Sequence, residues 1–192
     1  MSSLARNKDL WQPFQDRFNA LNLAVGGEKS ETLLYRIINS DWSFLGRESS
    51  SDQKNASTPL VLLIMIGTND VASGDTAGEV AAGVTAVIEA AIKTIPAVTE
   101  IVLLSILPRS HQAMNNIISE ANEKLSTTFA DTTLLDGQIT FIDLTNLFRA
   151  KDGSIKRNMY LPDRFHPSSE GLIAILKNLQ VVLDQSANLD AR

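Results

Sequence analysis

Apolar positions along the chain fall into two alternating kinds of segment. Three short runs are mainly apolar: PLVLLIMIGTND (Pro59–Asp70), EIVLLSILPR (Glu100–Arg109) and ITFIDL (Ile139–Leu144). Each is rich in Val, Ile and Leu without clean alternation, which predicts strands covered on both faces of a parallel sheet. A shorter run, ALNLAVGG (Ala20–Gly27), ends on two glycines and predicts a fourth strand. Between the runs, apolar residues recur at spacings of three and four. AGEVAAGVTAVIEAAIKTI (Ala77–Ile95) is the clearest such stretch, and His111–Phe129 and Ser168–Asp184 follow the same rule, so all three predict helices. Strands alternating with helices of this length imply βαβ units and an α/β fold. The polar stretch Arg47–Pro59 predicts an exposed loop. No internal repeat is present, and one domain over 1–192 accounts for the pattern.

Composition narrows the class. The chain has 192 residues, 44% of them hydrophobic and 20% charged, which suits one domain with a sizeable core. Its net charge of -5 argues against a general nucleic-acid binder, which shows a basic face. With no cysteine, disulfides, thiolate catalysis and Cys-ligated zinc are excluded. No apolar run approaches the roughly 18 residues that span a membrane. The start, MSSLARNKDLW, lacks the apolar region of a signal peptide. A soluble, cytoplasmic protein is therefore expected.

Ligands of open α/β sheets bind beyond the carboxyl ends of the strands. That rule nominates VGG (Val25–Gly27), GTND (Gly67–Asp70) and LPRSH (Leu107–His111), with LPDRFHPSS (Leu161–Ser169) entering the last helix. Asn69 carries uncharged donors; it reads either as an oxyanion donor or as an Asx-turn ending its strand. The glycine pair offers backbone N–H groups to an oxyanion, or forms only a strand-to-helix turn. It matches no phosphate loop. Asp163 and His166 read either as a general base with its orienting carboxylate, or as a surface turn. His111 is the only other histidine and no acidic cluster accompanies either, so neither a metal nor a cofactor is expected.

In order and spacing, these pieces resemble the SGNH, or GDSL-type, hydrolases. The likeness is strongest to the subgroup containing the platelet-activating-factor acetylhydrolase catalytic subunits and related bacterial esterases. It runs from about Asp9 to Asp184. LWQPFQDRFNALNLAVGGEKSETLLYRI is similar to the subgroup's helix, second strand and glycine block. IMIGTNDV is similar to its asparagine block, LLSILPRS to its fourth strand, and LPDRFHPSSEGL to its Asp-x-x-His block. The resemblance implies a three-layer α/β/α flavodoxin-like parallel sheet and an ester or acyl hydrolase acting on a small ester or acetyl group. It also implies His166 as base, Asp163 as its partner, and Gly27 (backbone) and Asn69 (side chain) as oxyanion donors. By subgroup analogy a homodimer is expected.

The family's first block, a strand followed by Gly-Asp-Ser, has no clear counterpart. MSSL (Met1–Leu4) laid over Gly-Asp-Ser-Leu makes Ser3 the candidate nucleophile, with no apolar strand before it. An alternative expectation follows, a binding or scaffold protein of the same fold without a competent nucleophile. A nucleotide-binding flavodoxin-like domain is a third reading, which lacks a phosphate loop. Ser105 and Ser110 match no nucleophile block, and Ser168 or Ser169 suits the cap of the last helix.

Overall fold

The computed structural model describes residues 7–45, 60–95, 98–130 and 139–189. In chain order these form α1 (Lys8–Phe18), α2 (Ser30–Asn39), β1 (Leu60–Ile64), α3 (Thr68–Ala72) and α4 (Ala77–Thr94). There follow β2 (Val98–Leu104), α5 (Gln112–Ala130), β3 (Ile139–Ile142), α6 (Thr145–Phe148), a 3-10 turn (Arg157–Met159) and α7 (Ser169–Leu189). They gather into two compact units. One, the sheet unit, draws on Glu28–Ile106 and Asn116–Asp143. The other, the histidine unit, draws on Met1–Gly27, Leu107–Asn115 and Leu144–Arg192.

The fold is α/β, with a parallel sheet flanked by helices. Its three described strands run in the order β1-β2-β3, every pair parallel. The central strand explains its own sequence. Ile101 and Leu103 join Val84, Val87 and Ile88 of α4, Ile37 of α2 and Leu125 of α5 in one cluster. Val102 and Leu104 point to the opposite face and are equally buried. Only over Ile101–Leu104 are both faces covered, and there all four residues are apolar, while Thr99 and Glu100 fall at the less buried start of the strand. Burial of each such apolar side chain stabilises by roughly 1.5–3 kcal/mol. A capping box fixes the start of α4: Thr76 N–H donates to Glu79 Oε2 at 2.8 Å, and Glu79 N–H donates to Thr76 Oγ1 at 3.3 Å.

The expected helices form with ends shifted by a residue or so, apart from α7, which runs five residues past Asp184 to Leu189. The strands are corrected more. Pro59–Asp70 is a strand only over Leu60–Ile64; Thr68–Ala72 is a short helix entered through Gly67 at φ +105°. Glu100–Arg109 leaves the sheet after Leu104. Ala20–Gly27 forms no strand, because among the described residues no neighbour pairs with its backbone. Its alternating Leu21, Leu23 and Val25 are exposed. The expected loop Arg47–Pro59 lies outside the described residues.

In the histidine unit, α7 packs on the segment that carries the histidine. A Cβ on Gly171 would collide with the Met159 carbonyl and crowd Phe148 and Pro167, so only glycine admits this approach. Ser168 caps the helix as expected, accepting the Gly171 N–H on Oγ at 3.2 Å. Phe148 and Tyr160 meet edge to face at 5.3 Å, and the Tyr160 hydroxyl donates to the Pro108 carbonyl. Burial pushes the Tyr160 phenol up, so it stays protonated and a donor.

Candidate active site

Asp163 and His166 sit in one tight loop. An antiparallel bridge between Tyr160 and Pro167 closes it, with the Leu161 N–H donating to the His166 carbonyl at 2.8 Å. Arg164 takes a left-handed conformation, φ +55°, to make the turn. Asp163 Oδ1 accepts the Phe165 and His166 backbone N–H groups, each at 2.9 Å. Its Oδ2 lies 2.8 Å from His166 Nδ1. A ring donating from Nδ1 keeps Nε2 as its acceptor, which is the geometry of an oriented general base. Both side chains are about half exposed, at 48% for Asp163 and 47% for His166. The His166 ring, then the His166 and Phe165 amides, hold the Asp163 carboxyl down at about 2. It is therefore ionised at neutral pH. The Phe165 ring touches the His166 ring at 4.4 Å and lies under the Arg109 guanidinium at 4.1 Å.

Gly27 is exposed and holds φ +80°, a conformation that side chains resist, although a Cβ there would meet nothing within 4 Å. Glycine is required by the backbone, not by space. Asn69 is the second residue of α3 and is half-buried. Its Nδ2 donates to the Glu28 carbonyl at 2.9 Å. Its backbone carbonyl accepts the Ser73 N–H at 3.0 Å and hydroxyl at 2.9 Å. A primary amide has two N–H groups, so one remains beyond the bond to Glu28.

The structure thus joins Asp163 to His166, and Asn69 to the residue that follows Gly27. Ser3 lies outside the described residues. Ser105 is fully buried and Ser110 and His111 are exposed. Among the described residues no cluster of three His, Cys, Asp or Glu side chains is placed to hold a metal, and no helix is long and apolar enough to cross a membrane. Arg109, Phe165, Glu28 and Arg36 escaped the sequence reading. Their pairings join separate turns and elements, and no spacing rule links them.

A parallel α/β sheet combined with an oriented Asp–His pair is the plan of an SGNH-type hydrolase. The family model for GDSL-like lipases/acylhydrolases matches residues 3–179, and the chain belongs to that family. It is 25% identical over 186 residues to platelet-activating factor acetylhydrolase IB subunit alpha2 of Rattus norvegicus, covering 96% of this chain and 73% of that protein. To the alpha1 subunit of Homo sapiens it is 24% identical over 176 residues, covering 91% and 68%. The fold is shared with a GDSL-like lipase from Bacteroides thetaiotaomicron, at TM-score 0.67, 16% identity and coverage of 96% and 83%. By family, then, the chain is an ester or acyl hydrolase.

Proposed function

We propose that the chain hydrolyses a small carboxylic ester or acetyl group by a Ser–His–Asp mechanism. The observation that carries this is the 2.8 Å bond between His166 Nδ1 and the ionised Asp163, in a member of an acylhydrolase family. In this reading Nε2 of His166 removes the proton of a serine hydroxyl, and Ser3 is that serine by its place in the family pattern. The alkoxide attacks the acyl carbon. The Gly27 N–H and the second Asn69 N–H stabilise the resulting oxyanion. His166 then hands its proton to the leaving alcohol, and water repeats the cycle on the acyl-enzyme. Asp163 stays ionised and holds the imidazolium. The whole chain, 1–192, acts as one hydrolase domain. The acetyl preference is supported by the acetylhydrolase subunits among its relatives.

The test is p-nitrophenyl acetate hydrolysis together with labelling by a serine-directed fluorophosphonate. His166→Ala should lower kcat by about 10²–10⁴, the range of general acid–base contributions. Fluorophosphonate should label one serine stoichiometrically, at Ser3, and Ser3→Ala should abolish labelling. Full activity in His166→Ala defeats the mechanism. Labelling at another serine reassigns the nucleophile, and no labelling of an inactive protein supports a binding role instead.

A further inference from the structure

Two segments distant in sequence are stitched together within the sheet unit. Glu28–Ser30, which follows Gly27, meets Asn69–Asp70, which follows β1. The Ser30 N–H donates to both oxygens of buried Asp70, at 3.0 and 3.2 Å, and the Ser30 hydroxyl donates to Asp70 Oδ1. The Glu28 carbonyl accepts from Asn69 Nδ2. The Glu28 side chain is itself fixed: Arg36 Nε donates to Oε1 and Arg36 Nη2 to Oε2, both at 2.9 Å. This is a two-pronged ion pair with side-chain exposures of 10% for Glu28 and 29% for Arg36. Two parallel charge-assisted bonds define an orientation, where a single exposed contact would not.

We infer that Glu28 and Arg36 are positioning residues for Asn69. The pair holds the Glu28 peptide, and the Glu28 carbonyl fixes the plane of the Asn69 amide by taking one of its two N–H groups. The second N–H is thereby aimed without cost at the moment of reaction, which is what makes a preorganised donor effective. The inference rests on Asn69 acting as an oxyanion donor. Neither Glu28 nor Arg36 is assigned a contact with substrate.

The test combines side-chain amide NMR with kinetics. Asn69→Asp identifies the Asn69 Nδ2 resonances by their loss. Arg36→Ala and Glu28→Ala should each shift those resonances. Each should also lower kcat about tenfold with little change in KM, less than the roughly 10²–10³ lost when a donor is removed outright. Arg36→Lys, which keeps the charge and loses the fork, should fall between. Unmoved amide resonances and unchanged kcat, at whatever melting temperature, overturn the inference and leave the pair purely structural. Full kcat in Asn69→Ala defeats the oxyanion role of Asn69 instead. The amide resonances then still decide whether the ion pair positions that side chain.

Discussion

Asp163 accepts three hydrogen bonds from two adjacent residues, and this local arrangement sets its acidity. Its folded pKa of about 2 lies below the ordinary aspartate value. The stability it contributes is therefore complete above about pH 4 and lost as pH falls toward 2. Titration of its side-chain carboxyl by carbon NMR should show a midpoint near 2, moving only part of the way up toward the ordinary aspartate value in His166→Ala, because the two backbone amides remain. An unchanged midpoint in that variant would mean that the backbone amides, not the ring, dominate. It follows that any loss of activity between pH 4 and 7 belongs to a group other than Asp163. The pair itself was legible as D-x-x-H, because a turn of that length closes on itself. The Phe165 stack on Arg109 was not, since it depends on which loop lies alongside.

At the scale of elements, Gly83 is the informative position. A glycine inside a helix normally costs about 0.5–1 kcal/mol relative to alanine. Here a Cβ on Gly83 would collide with the Ser30 hydroxyl that binds Asp70. Gly83→Ala should therefore destabilise, by about 1–3 kcal/mol as overpacking does. Gly78, on the same helix, has open space around its missing Cβ. Gly78→Ala should stabilise by up to about 1 kcal/mol. Urea unfolding of the two variants checks the contrast; equal effects would show that helix propensity alone governs both. The helices α4, α5 and α7 were legible from their apolar spacing. The helix α3 was not, because a five-residue helix has too few positions to display a period. The run Ala20–Gly27 reads as a strand by composition, yet a strand needs a neighbour's backbone, which sequence spacing does not supply.

At the scale of the molecule, 22 acidic residues outnumber 17 basic ones, and the sequence pI is about 5.0. Electrophoretic mobility should reverse sign near pH 5, with light scattering highest there, because net repulsion between molecules vanishes. Mobility that stays negative well below pH 5 would mean that bound anions dominate the surface charge.

The sequence by itself determined the α/β class, the parallel pairing implied by its apolar runs, the Asp163–His166 turn and the family. Each of these depends on local spacing or on residue types in order. The tertiary structure decided what local spacing leaves open. It ended β1 at Ile64, left Ala20–Gly27 without a strand, and gave one Asn69 N–H to Glu28. It also set Arg36 on Glu28 and made Gly83 a matter of space. These follow from which segments fold against each other, and only the assembled chain brings those backbones within hydrogen-bonding reach.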